Sequence, residues 1–367
     1  MKILIDARVL AKGVNSGIEE YTRNITAEIL KIDKVNSYDL FYNGFKKQPL
    51  DIARGGIIDT HVPNKIFDAA SRFLNWPKID RLAKADVIFS PHFNILAVDK
   101  APRVITFHDL SFAHHPYFFS RRQRFWHWLQ DARRQAEQAT KIIAVSEFTK
   151  SDLVNLWNIP PEKIEVIYSG ISEDLTVASP AICHPLISNR YFLYLGTIEP
   201  RKNLIAIIRA FNLLKTRRDF KESKLIIAGR RGWLYDKILK EAANSPFNKE
   251  IIFWGPVDAS QKRELYRQAS VFVFPSFFEG FGFPPLEAQA CGCPVVASDR
   301  TSLPEILGKS AILVNPWKID QLADAIIAAA GASGEKLRVA GRENIKRFSW
   351  EQAARQTIKV LNNHGPR

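Results

Sequence analysis

Two glutamates, Glu279 and Glu287, stand in the run F-P-S-F-F-E-G-F-G-F-P-P-L-E-A-Q-A-C-G-C-P, from Phe274 to Pro294. Carboxylates are good acceptors for sugar hydroxyls. Gly280 and Gly282 lack Cβ atoms, so backbone N–H groups there can approach a ligand closely. Pro284 and Pro285 suit the opening of a helix, where a missing N–H has no partner to lose, and Gly292 stands where that helix would stop. Such a helix directs free N–H groups and partial positive charge back at the loop, which makes a cradle for an anion. Glu287 is expected in the first helical turn and Glu279 at the loop's tip. Two hydroxyl acceptors beside one phosphate cradle suit a nucleotide sugar. The spacing by itself also fits a tight turn followed by a glutamate that complements the helix dipole.

A second constellation is Gly196-Thr197-Ile198-Glu199-Pro200-Arg201-Lys202-Asn203, lying between a strand-like Tyr191–Leu195 and a helix-compatible Leu204–Leu214. Arg201 can grip two oxygens and Lys202 acts as a point charge. At a strand-to-helix turn they can stabilise the charge that develops on a departing diphosphate. A solvated surface pair is the alternative. His108-Asp109 follows the strand-like Val104–Phe107, the end of a parallel strand where ligands collect. His92 also follows such a run, Val87–Ser90, and is read as structural. His114-His115-Pro116 has no third ligand at a metal spacing and reads as a loop. No Asp-x-Asp occurs in the chain. A metal-clamped phosphate is therefore not expected, and Arg201, Lys202 and the helix dipole must take that part.

These residues need a frame. Strand-like runs at Lys2–Ile5, Tyr38–Tyr42, Val87–Ser90, Val104–Phe107, Ile142–Val145 and Ile164–Tyr168 alternate with several helix-compatible stretches. One of these carries Ile18, Tyr21, Ile25 and Ile29 at helical spacing. Met1–Leu10 as a whole reads as a strand rather than a secretory leader, because Asp6 and Arg8 interrupt it. Periodicity fades through Thr176–Ser188, where a linker is expected. A second series follows with strands at Tyr191–Leu195, Leu225–Ala228, Ile251–Trp254, Val271–Phe274, Pro294–Ser298 and Ala311–Val314, and a closing helix at Trp350–Leu361. The pattern implies α/β architecture with two doubly wound, Rossmann-like domains: 1–180, 181–348, and a last helix in 349–367.

Composition narrows the function classes. With 367 residues, 46% hydrophobic and 25% charged, the chain is an ordinary globular sequence long enough for two cores. Cys183, Cys291 and Cys293 are too few and too odd in number for a disulfide framework and fit a cytoplasmic protein, and Cys291 and Cys293 are read as packing residues. No apolar run approaches the roughly 20 residues that span a bilayer. Net charge is +14; residues 181–367 hold 28 Lys+Arg against 17 Asp+Glu, and residues 1–180 hold 24 against 21. The excess in the second half fits a polyanionic ligand, and no zinc-finger, RNP or KH pattern supports a nucleic-acid partner. One helix is expected across Phe118–Thr140, with Phe125, Trp128 and Leu129 on one face. Arg121, Arg122, Arg124, Trp126 and Trp128 make it either a helix packed on the sheet or a peripheral contact with anionic lipid.

The Glu279-to-Glu287 run resembles the E-x7-E signature of the retaining glycosyltransferases of family 4, with the two glycines, Pro-Pro-Leu and C-G-C-P in place. G-x-x-x-x-R-K-N at Gly196–Asn203 and His108-Asp109 match the same family, and nearly the whole chain follows its motif order. The resemblance implies a GT-B fold, with the two domains facing a central cleft and the last helix packed on the first domain. It implies catalytic roles for Glu279, on the donor hexose, and for His108 and Asp109 near the attacked carbon. Arg201 and Lys202 would bind the donor phosphates, Glu287 the ribose, and Gly17, Gly280, Phe281, Gly282, Phe283, Leu286, Gly229 and Val257 would line the donor site. Ser16 replaces the family's usual paired glycine. L-G-T-I-E-P-R-K-N and G-R-R-G-W-L-Y-D look like bacterial polysaccharide mannosyltransferases, so GDP-mannose is the first expectation and a UDP- or dTDP-hexose the second. No cofactor or metal is implied; the acceptor would be a glycan or lipid-linked glycan. A catalytically silent nucleotide-sugar-binding subunit is the reading from another class.

Overall fold

The structure, a computed structural model, describes residues 1–12, 16–43, 56–172, 175 and 190–365. They fall into two units: Met1–His114, Arg121–Gly170 and Phe348–Arg367 form one; His115–Ser120 and Ile171–Arg347 form the other. The expected linker, 176–188, and Cys183 lie outside the described residues. The six residues His115–Ser120 join the second unit although both flanks belong to the first, which a reading in chain order does not anticipate.

The first unit is built on seven parallel strands: β1 (Lys2–Asp6), β2 (Ser37–Phe41), β3 (Gly56–Ile58), β4 (Val87–Ser90), β5 (Arg103–Phe107), β6 (Lys141–Ala144) and β7 (Ile164–Val166). Their order is β3-β2-β1-β4-β5-β6-β7. β4 and β5 are buried along their whole length, as strands covered by helices on both faces must be. The closing helix, Trp350–His364, packs against the helix Gly17–Ile32 of the same unit. Gly170 lies against the start of the closing helix, where a Cβ would lie 2.2 Å from the Trp350 nitrogen.

The second unit has six parallel strands: β8 (Tyr191–Leu195), β9 (Lys224–Ala228), β10 (Ile251–Gly255), β11 (Val271–Phe274), β12 (Val295–Ser298) and β13 (Ile312–Val314). Their order is β10-β9-β8-β11-β12-β13. The order in which strands are added reverses between the parallel neighbours β8 and β11, so the loops leaving these adjacent strands turn to opposite faces and leave a crevice at their C-terminal ends. The corresponding point in the first sheet lies between β1 and β4.

Three sequence expectations are corrected. Met1–Leu10 is not one strand: β1 ends at Asp6 and Arg8–Lys12 is a 3-10 turn. The cause is a buried polar knot. Arg8 donates to Asp6 through Nε (2.9 Å) and NH2 (2.8 Å), to Asp68 through NH1 (2.9 Å) and to the Ile95 carbonyl (3.0 Å). The expected helix across 118–140 is broken into Arg121–Gln130 and Ala132–Gln138 by Asp131 in left-handed conformation at φ 45°, paired with Arg72. Finally, Leu129 and Trp126 do not share the exposed face of Phe125 and Trp128. Leu129 is buried, and Trp126 stacks on His92 at 6.1 Å with rings 8° apart. Among the described residues, no helix is long and apolar enough to cross a membrane.

Candidate active site

The loops after β8 and β11 carry the two constellations singled out by sequence, and the strand order makes them neighbours. Pro200–Lys202 forms a 3-10 turn, and Asn203 sits in left-handed conformation before the helix Leu204–Lys215. Asn203 Nδ2 donates to the carbonyls of Pro275 (3.2 Å) and Pro316 (2.8 Å), which ties this turn to the loops after β11 and β13. The Phe277 N–H donates to the Arg201 carbonyl at 2.9 Å. Lys202 Nζ then lies 2.6 Å from Glu279 Oε1, and Arg201 NH1 lies 3.7 Å from Glu279 Oε2 and 3.1 Å from the Phe278 carbonyl. Lys202 and Glu279 are both buried. Burying these charges is tolerable only because they are paired.

The Glu279 loop is held in place by residues that sequence reading missed. The Glu279 N–H donates to Thr301 Oγ1 at 3.0 Å, and Ser302 Oγ donates to the Glu279 carbonyl at 2.9 Å. Thr301 has φ +57°, a costly conformation for a β-branched residue and of the kind found where backbone is held for function. Glu199, buried at 2% exposure, accepts from Arg201 Nε at 3.0 Å and fixes the direction of the guanidinium. Its only sequence signal was its place in the E-P-R-K-N string.

The helix after the loop is Phe283–Ala290, with Gly282 as N-cap at φ +100°. A Cβ on Gly282 would lie 2.7 Å from Leu303 Cδ2, so both backbone and space require glycine. Phe281 is buried and its ring lies 5.2 Å from that of Phe283; Gly280 is buried in the same loop. Glu287 is one turn further in than expected, because the helix begins at Phe283, ahead of both prolines, and its first turn holds no acid. It faces the helix Ala259–Gln268 instead: Lys262 Nζ is 2.5 Å from Oε1, and the Tyr266 hydroxyl donates to Oε2 at 2.9 Å. Leu286, expected to line the donor site, is wholly buried.

Gly229 closes β9 at φ +131°, where a Cβ would lie 2.0 Å from the Gly196 carbonyl oxygen. Its N–H donates to the Gly255 carbonyl at 2.8 Å, so it locks the ends of β8, β9 and β10 together. Val257 is half-buried beyond β10, one residue before Asp258, which caps the helix Ala259–Gln268. Cys293 is buried and Cys291 half-buried; burial pushes the Cys291 thiol up to about 12, which suits an inert packing residue.

In the first unit, His108 follows β5. Its Nε2 is 2.8 Å from the Pro91 carbonyl, and Tyr21 meets its ring edge-on at 4.7 Å. Burial lowers the imidazole pKa below its ordinary value, against the raising effects of the Pro91 carbonyl and Asp109. A neutral ring that donates from Nε2 to a carbonyl keeps Nδ1 as an acceptor, a tautomer assigned from the hydrogen bond. Asp109 Oδ1 accepts from the Ser111 N–H (2.9 Å) and hydroxyl (2.6 Å), so it also caps the short helix Ser111–His114. His92 Nδ1 is buried, and the His92 and His108 rings are 5.9 Å apart. His114 contacts Asp152 at 2.9 Å. Gly17 is the first residue of its helix, capped by Ser16 Oγ accepting from the Glu19 N–H; residues 13–15 lie outside the described residues. Among the described residues, no group of three or more His, Cys, Asp or Glu is arranged to hold a metal.

Comparison with known proteins finds two family models along the chain: Glycosyltransferase Family 4 over residues 16–175, and Glycosyl transferases group 1 over residues 189–331. The chain is 34% identical over 267 residues to O-antigen chain mannosyltransferase B of Escherichia coli, an alignment covering 70% of this chain and 69% of that protein. Among solved structures, HepE of Anabaena in complex with UDP and glucose superposes with a TM-score of 0.75 at 20% identity, covering 98% of this chain and 99% of the other. WaaG, a glycosyltransferase involved in lipopolysaccharide biosynthesis, gives 0.71 at 14%, covering 98% and 99%. At such identities the two structures establish the fold, GT-B, alone.

Proposed function

This chain belongs to the family 4, group 1 glycosyltransferases, with a glycosyltransferase function in polysaccharide biosynthesis; from that premise we propose that it transfers mannose from GDP-mannose to a glycan or lipid-linked acceptor, without a metal and with retention of configuration. The observation that carries the reading is the contact of Lys202 and Arg201 with Glu279 at the crevice between β8 and β11. Two cations and one acid converge where a sugar diphosphate has matching charge and hydroxyls. With donor bound, the cations turn to the diphosphate and Glu279 is released to the hexose hydroxyls. The first turn of the helix Phe283–Ala290 adds backbone N–H groups. Glu287, now held by Lys262 and Tyr266, takes the ribose hydroxyls. As the diphosphate leaves, its oxygen accepts the proton of the attacking hydroxyl on the same face. His108, neutral and offering Nδ1, is suited to accept a hydrogen bond from a substrate hydroxyl rather than to supply charge.

The mannose assignment is supported by the Escherichia coli relative, named a mannosyltransferase. A uridine nucleotide is the second reading, favoured by the UDP in the Anabaena structure. A melting-point panel decides between them. GDP-mannose is expected to raise the melting temperature by mass action, and Glu287→Ala to shrink that rise. A rise with UDP-hexoses but none with GDP-mannose would reject the donor assignment. An inverted anomer in the NMR spectrum of the product would reject retention.

We extend the proposal to the surface on which a lipid-linked acceptor is presented. Phe125 and Trp128 are exposed at 62% and 54%, and Trp128 lies 6.3 Å from the ring of Phe73, itself 63% exposed. Arg121, Arg122 and Arg124 are exposed beside them. Aromatic rings with an arginine rim suit the interface of an anionic bilayer. An Arg121/Arg122/Arg124→Ala variant is expected to lose co-sedimentation with vesicles rich in anionic lipid. Equal sedimentation of variant and wild type would remove this part of the proposal.

A further inference from the structure

Trp317 is 66% exposed, which is unusual for so large a ring, and it stands beside the catalytic cluster rather than apart from it. It follows β13 at the same C-terminal edge of the sheet as Arg201 and Glu279. Three contacts hold it there. The Pro316 carbonyl accepts from Asn203, the residue after Lys202, at 2.8 Å. The Trp317 N–H donates to Asn315 Oδ1 at 3.0 Å. Its ring lies 4.2 Å from that of Phe277, whose N–H is bonded to Arg201 and whose next residues are Phe278 and Glu279. Phe277 in turn is stacked on Phe118 of the His115–Ser120 segment, at 5.8 Å and 12°. The indole is therefore fixed from behind by an aromatic row while more than half of its surface stays open.

The open side forms one wall of a hollow of about 400 Å³ lined with Arg209, Leu213, Lys318, Ile319 and Asp320. Lys318 and Asp320 are exposed, and Arg209 is steadied by Glu241 at 2.7 Å and 3.1 Å. One flat aromatic wall ringed by separated donors and acceptors is the chemistry that takes a pyranose. The sugar's C–H face stacks on the ring, and its equatorial hydroxyls find the charged groups at the rim. A purely apolar partner would leave Lys318 and Asp320 unmatched at the contact.

We infer that Trp317 and this hollow form a saccharide subsite, holding a pyranose of the acceptor glycan away from its reacting end. The inference rests on the glycosyltransferase reading above and adds to it that the acceptor is gripped as a chain, not only at its terminal sugar. Stacking by one well-placed aromatic is a typical dominant contact in such a site.

The test is isothermal titration of the full chain with α-mannotetraose, maltotetraose and cellotetraose, and with methyl α-mannoside as a one-ring control. Wild type is expected to bind at least one tetrasaccharide more tightly than the single ring. Trp317→Ala is expected to weaken that binding about tenfold, and Trp317→Phe to keep most of it. The rise in melting temperature with donor nucleotide should be the same in all three proteins, which shows that the variants are folded. Binding of the tetrasaccharide by Trp317→Ala as tightly as by wild type overturns the subsite, as does failure of wild type to bind any of the three. In either case an intact donor response leaves the proposed function standing. If no nucleotide sugar is bound or consumed, that function falls, and the subsite with it.

Discussion

Lys202→Met is expected to lower kcat/KM by about 10²–10³-fold, since it removes a fixed charge from the place where the diphosphate becomes a leaving group. The rate is measured on the folded fraction, because Glu279 then keeps only Arg201, 3.7 Å away. Methionine keeps the apolar stem, which lies against Phe274, the ammonium being 5.1 Å from that ring. The competing explanation is that Lys202 only neutralises Glu279, to which it lies 2.6 Å away. The double variant Lys202→Met/Glu279→Gln separates the two. If neutralisation were the whole role, removing both charges would restore activity nearly to wild type. If Lys202 holds phosphate and Glu279 holds the hexose, the double variant stays at least as impaired as either single one. Steady-state kinetics with varied donor give the answer, and recovery in the double variant would overturn the assignment of Lys202 to the leaving group.

Arg8→Met is expected to cost about 3–5 kcal/mol of stability, the usual penalty for stripping one partner from a buried charge cluster. Burial works against the Arg8 charge, yet Asp6 and Asp68 more than offset it and raise the guanidinium pKa. Its side chain is 3% exposed, and it bridges the end of β1, the helix Asn64–Phe73 and the Ile95 carbonyl. Gln130 completes the knot, donating to Asp68 Oδ2 at 2.9 Å and accepting from the Ile95 N–H at 2.7 Å. Methionine would strip both Asp6 and Asp68 of the guanidinium that they share. Urea unfolding followed by circular dichroism measures the loss; a change below about 1 kcal/mol would show that water or relaxation satisfies the acids and that the knot is not a structural anchor.

These two sites differ in how far the sequence disclosed them. Arg201, Lys202, Glu279 and Glu287 were legible because each sits in a string with strong local grammar: a buried strand, a glycine- or proline-marked turn, then a helix. The Arg8 knot was not legible. Its members, at positions 6, 8, 68, 95 and 130, are mostly far apart in the chain; four read as ordinary charged or polar residues, and Ile95 takes part only through its backbone. Thr301 and Ser302 were missed for the same reason, since their role is to hold the backbone of a loop twenty residues earlier. Local pattern also misjudged the segment across 118–140. Nothing in its composition marks Asp131 as a left-handed break, because the pairing with Arg72 that accompanies it is a tertiary contact.

By itself, the sequence determined that this chain is a two-sheet α/β protein and which residue types stand at the ends of its strands. Hydrophobic period and turn chemistry are properties of neighbours along the chain, so they survive without coordinates. Only the tertiary structure decided which strand ends meet. The order β10-β9-β8-β11-β12-β13 brings residues 201 and 202 against residue 279 and swings Glu287 toward Lys262. It also sets Trp317 beside them. Strand order follows from how helices of particular length and face cover the sheet, a sum over many weak contacts that no single motif encodes.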